Sequence, residues 1–178
     1  ENYKEAAKIL KESGADLLVL EMLLDVDHSK MLLNAALETG LPVWVGLSCC
    51  DSKFDNSVIG RNFRAEKEKS LIYDENKYKD QPKYLPEDKI ILLEDIIKSL
   101  TSLGGDVYGI MHTWFQDSIG GLKILKNNWK GPIMFYPEIH KFDTNTHKAI
   151  ITMTEEEFSN AILAVSYTHL TLPTNSNV

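Results

Sequence analysis

The chain has 178 residues, with 19 Lys and Arg against 26 Asp and Glu, for a net charge of −7. Apolar residues make up 43% and charged residues 25%, the balance of a globular protein able to bury a core. The acidic surplus argues against binding nucleic acid or an anionic membrane, since both need a basic surface. No apolar run approaches the ~20 residues of a membrane span. The 2 cysteines are adjacent and give no disulfide framework, so a reducing cytosol is the default expectation.

Residues 3–13 repeat Ala6, Ala7, Ile9 and Leu10 at helical spacing, and Gly14 suits a left-handed stop. The short apolar run 16–21 ends in Glu21 and reads as a strand buried on both faces. Asp25 or Asp27 can cap a helix over about 29–38, stopped at Gly40. A second buried strand follows at 41–48, with Pro42 tolerated only at its start.

From Cys49 to Asp88 the chain is polar with little periodicity, which predicts a long excursion over the fold. Helical spacing returns at 90–103, ending in Gly104-Gly105. Residues 107–112 form a third strand, 117–126 a third crossover helix and 132–136 a fourth strand. Thr154 followed three residues later by Glu157 is a capping-box signature opening a last helix.

Short buried strands alternating with helices predict parallel βα units, in an open sheet or part of a (β/α)8 barrel. In either, chemistry gathers at the carboxyl ends of the strands. Those ends carry Glu21, Cys49-Cys50, His112 and Tyr136-Pro137-Glu138. Phosphate-binding glycine fingerprints and a serine nucleophile elbow are missing from the sequence.

Five segments in order carry a resemblance: 14–21, 41–48, 107–112, 131–137 and 154–163. Together they resemble the homocysteine S-methyltransferase family. The resemblance implies a partial (β/α)8 TIM barrel, about strands 4–7, over residues 1–164, with a long polar insertion at about 51–88. It implies a chain lacking both ends of that barrel, hence poorly stable on its own. Residues 165–178 do not resemble the family and look like translated adaptor sequence, which predicts a non-native tail.

The family implies small-molecule substrates, homocysteine and a methyl donor. It also implies zinc (Zn2+), which holds the homocysteine sulfur as the thiolate that takes the methyl group to give methionine. Glu21 matches the acid that binds the homocysteine amino group. His112 falls where the family has its first zinc-binding Cys, and imidazole is a competent zinc ligand. Cys49-Cys50 lacks the glycines that flank the family's zinc-binding pair, so that role is not carried over to it. His112 with either thiol stands as a rival local site. Two other readings stay open: a barrel relative without zinc chemistry serving as a small-molecule binding module, and another metal-dependent lyase.

Overall fold

A computed structural model describes residues 1–61, 90–143 and 148–169. Much of the polar stretch expected at 51–88 therefore lies outside the described residues, as do 170–178. The elements alternate as the sequence predicts. Helix α1 (Asn2–Glu12) leads into strand β1 (Leu18–Leu23), then α2 (Val26–Leu37) and β2 (Val43–Leu47). After the polar stretch come α3 (Leu93–Thr101), β5 (Val107–Trp114), α4 (Phe115–Asn128), β6 (Ile133–Glu138) and α5 (Glu155–His169). Two small hairpins were not foreseen: β3 (Cys49–Asp51) with β4 (Val58–Gly60), and β7 (His140–Asp143) with β8 (Lys148–Ile151). Their strands are three or four residues long, too short to show an alternating pattern.

The main sheet has four strands in the order β1-β2-β5-β6, and every pair in it is parallel. Each βα unit adds its strand next to the previous one, with no reversal of order. A doubly wound sheet would reverse at a switch point. A mixed α/β fold with a four-stranded parallel sheet and flanking helices is compatible with an arc of a (β/α) barrel.

Local chemistry explains the element ends. Asp25 caps α2, its carboxylate accepting from the His28 amide at 2.8 Å. The capping box before α5 is formed: Thr154 N–H donates to Glu157 Oε2 at 2.8 Å, and Glu157 N–H donates to Thr154 Oγ1 at 3.2 Å. The helix it opens runs on to His169, so the boundary expected at 164/165 falls within α5. Val165 is buried with Phe115 and Leu122.

The main core lies between the sheet and α2, α3 and α4. Leu33, Ile96, Ile97, Leu100 and Leu125 are fully buried there against Val45, Leu47 and Ile110. Two close approaches depend on glycine. A Cβ at Gly46 would stand 2.1 Å from the Met111 methyl, and one at Gly121 would stand 2.6 Å from Cys49 Sγ. The first lets Met111 fill the sheet face beside His112, and the second lets α4 press onto β3. Among the described residues no helix is long and apolar enough to cross a membrane.

Ile97 is fully buried within this core. Truncation removes a buried side chain and leaves a cavity, so Ile97→Ala is expected to cost about 2–5 kcal/mol in a urea melt. Leu10→Ala, at a half-exposed position of α1, should cost less than about 1 kcal/mol. Equal losses would mean that the core is not where the fold places it.

Candidate functional site

Two strand ends depart from regular pairing, and both predicted site residues sit in those departures. On β1, Leu20 pairs with Val45 and Leu23 with Leu47, so Glu21 and Met22 together face Gly46 alone. On β5, Met111 pairs with Tyr136 and Trp114 with Glu138, so His112 and Thr113 together face Pro137. Each is a β-bulge, a device that re-aims side chains at the rim of a sheet. Pro137 has no N–H to give to the ladder and is suited to its place opposite the second bulge.

Both bulges carry backbone in the left-handed region, Met22 at φ 56° and His112 at φ 47°. That conformation is uncommon outside glycine and persists where its surroundings enforce it. Around His112 the enforcing contacts are visible. Ser48 Oγ donates to the Met111 carbonyl at 2.8 Å, and Thr113 Oγ1 donates to it at 3.0 Å. Arg61 Nη1 donates to the His112 carbonyl at 2.8 Å. Ser118 Oγ donates to the Thr113 carbonyl at 3.0 Å. Thr113 Oγ1 in turn accepts from the Cys49 amide at 3.0 Å. The carbonyls of Met111, His112 and Thr113 thus each accept from a side chain of a neighbouring segment.

The imidazole is held as firmly as the backbone. His112 Nδ1 lies 3.0 Å from Glu138 Oε1. Its ring meets Tyr136 edge-on, with centroids 5.3 Å apart. Across the rim, His112 Nε2 faces Glu21 Oε2 at 4.0 Å, beyond direct hydrogen-bond range. The His112 and Glu138 side chains are about one-quarter exposed, while that of Glu21 is more than half exposed. A cleft of about 500 Å³ opens on the β6 side, walled by His112, Tyr136, Glu138, His140 and Phe158. The fold therefore brings Glu21 and His112 to one rim and adds Glu138 between β6 and the imidazole.

Glu138 was visible in the sequence only as part of a strand end, and Arg61 not at all. Arg61 stands just past β4, in a stretch without periodicity, where nothing local signals that the chain turns back toward β5.

The cysteines belong to the interior. Cys49 and Cys50 are both buried and form no disulfide. Cys49 Sγ is directed at the Asp117 carbonyl, 4.0 Å away. Burial pushes the Cys49 thiol well above its ordinary range, against the thiolate that a metal needs. Among the described residues no group of three or more His, Cys, Asp or Glu is placed to hold a metal ion.

Zinc can be tested against the donors at the rim. Two ligands of a tetrahedral zinc, each about 2.0–2.1 Å from the metal, stand about 3.4 Å apart. Glu21 Oε2 and His112 Nε2 are 4.0 Å apart, with no thiolate beside them among the described residues. Among the described residues, His112 stands without the further ligands that a zinc site needs.

A sequence model of the homocysteine S-methyltransferase family matches residues 1–70. The matched stretch is under half of the 178 residues, and over it the chain is similar to that family, consistent with a fragment. The match contains α1, β1, α2, β2 and the first hairpin, and with them Glu21. His112 and Glu138 lie beyond it. No curated protein matches the chain.

The burial of Cys49 has a consequence for pH. Its thiol stays protonated in the fold but ionises in the unfolded chain above about pH 8.5. Folded protein then holds the extra proton, so stability is full below that pH and falls above it. Urea midpoints are expected to drop between pH 8 and 10, with a smaller drop in Cys49→Ala. Equal pH slopes in the two proteins would contradict the assignment.

Proposed function

We propose that this chain carries the substrate-binding rim of an S-methyltransferase whose acceptor is the homocysteine sulfur and whose product is methionine. The observation that carries this reading is the family match over residues 1–70, with Glu21 at the carboxyl end of β1 inside it. Glu21 is the residue assigned to the substrate ammonium. Its carboxylate is more than half exposed and turned to the rim by the bulge, where a cationic group reaches it from solvent.

Methyl transfer forms a bond between the acceptor sulfur and the methyl carbon and breaks the bond from that carbon to the donor. What the protein supplies is position: the sulfur must lie in line behind the methyl group, and anchoring the ammonium fixes one end of the acceptor. The described residues do not make up a zinc site, and this anchoring is what they supply.

A second reading has its own support. The donor spacing at the rim and the protonated Cys49 favour a barrel relative that binds an amino acid without methylating it. The readings separate in an assay of the full-length protein for methionine formation from homocysteine with a panel of methyl donors. Turnover is expected, and Glu21→Gln should raise the KM for homocysteine about tenfold, the effect of losing a charge-assisted hydrogen bond. Binding of homocysteine without turnover on any donor would leave the binding module.

A further inference from the structure

The two bulges that carry Glu21 and His112 lie on strands that do not pair with each other, because β2 stands between them. Pairing with β2 holds β1 through its bulge, as far as Leu23 opposite Leu47. The ladder from β2 to β5 ends at Leu47 and Ile110, short of His112. Something other than the sheet must fix His112 relative to Glu21.

Ser48, the first residue past β2, begins that link. Its N–H donates to the Leu23 carbonyl at 3.1 Å, beside the first bulge, and its Oγ donates to the Met111 carbonyl at 2.8 Å, beside the second. Its own carbonyl accepts from the Arg61 N–H at 3.2 Å. Arg61 carries the link on, with Nη1 donating to the His112 carbonyl at 2.8 Å. Gly60, the residue before it, lies against the chain leaving β1. A Cβ there would collide with the Leu24 carbonyl oxygen and the Ile96 side chain, so only glycine leaves room. Residues 60 and 61 therefore touch both strand ends, Gly60 just past β1 and Arg61 at the bulge of β5.

The chemistry of Arg61 suits that task. A guanidinium stays charged at any working pH and makes a strong, directed bond to a carbonyl. The hairpin does not depend on this bond for its own place. It has a separate apolar anchor in Cys50 and Ile59, both fully buried, and a bridge from Ile59 to Leu92.

We propose that Gly60 and Arg61 form a strap that sets the spacing of the two rim side chains, with Arg61 the positioning residue for His112 relative to Glu21. This rests on the rim read above as the substrate site and adds what holds its two halves in register.

The test uses the full-length protein. A nuclear Overhauser contact between the His112 ring and the Glu21 side chain, 4.0 Å apart here, is expected in wild type. It should vanish in Arg61→Ala while the urea transition stays cooperative, and return in part in Arg61→Lys, which keeps a charged donor. Gly60→Ala, which lifts the strap off Leu24, should lose the same contact. In calorimetry with homocysteine, Arg61→Ala should bind about tenfold more weakly, the effect of losing one charge-assisted hydrogen bond. In a Glu21→Gln background the same change should cost less than about twofold, because the position it sets no longer has a partner to serve. Phe54→Ala, at the exposed tip of the hairpin, should leave both readouts unchanged. An Overhauser contact absent from wild type or surviving Arg61→Ala would overturn the proposal. So would additive losses with Glu21→Gln, or an equal loss in Phe54→Ala. The Overhauser contact needs no ligand, so a protein that loses it as described but binds no homocysteine refutes the substrate reading alone.

Discussion

The bulge at the end of β5 is the constraint on which the rest of the site depends. Two residues, His112 and Thr113, occupy the space opposite one, Pro137. The extra residue goes with left-handed backbone at His112, and three consecutive carbonyls, of Met111, His112 and Thr113, accept from side chains. Buried or half-buried carbonyls without donors would cost about 1–3 kcal/mol each. Ser48, Arg61 and Ser118 reach in from the β2 end, the polar stretch after β4, and α4 to supply those donors. The strain is thus offset by contacts drawn from elements distant in sequence, and the imidazole direction becomes a property of the whole upper rim. A regular strand would have pointed the residue after Met111 to the opposite face.

Much of the scaffold was legible because it follows from local pattern. Buried strands announced themselves as short apolar runs, and Asp25 and the Thr154–Glu157 pair marked helix starts through chemistry contained within one turn. Glu21 and His112 were legible for a related reason: each is a polar residue terminating an apolar strand, and parallel strands bring such ends to one rim. What could not be read is non-local. A bulge is defined by a partner strand, so the pairing of His112 and Thr113 with Pro137 has no signature within 107–114. Arg61 becomes meaningful only once the β3–β4 hairpin carries it back over β5. Glu138 was seen at its strand end, but its contact to His112 depends on the same bulge.

The cysteine pair shows how context outweighs composition. Adjacent thiols beside a strand end resemble a metal motif, yet the missing glycines already argued against it. The fold supplies the physical reason. Gly121 lets α4 close over Cys49 until a methyl group would not fit between them, and Thr113 takes the Cys49 amide. A thiol in that position packs as a small apolar side chain, because ionising it would strand a charge away from water. The same helix that seals Cys49 also supplies Ser118 to the bulge, so burying the thiol and building the rim are parts of one packing arrangement.

That coupling bears on how a barrel rim of this kind can change its chemistry. A thiolate at the end of β5 would need a metal and further thiolates around it. Histidine at that position needs only a carboxylate behind one nitrogen, and Glu138 provides it from the adjacent strand. The imidazole thereby sits between a carboxylate on β6 at 3.0 Å and one on β1 at 4.0 Å, and the parallel pairing of β1, β2, β5 and β6 sets the position of all three.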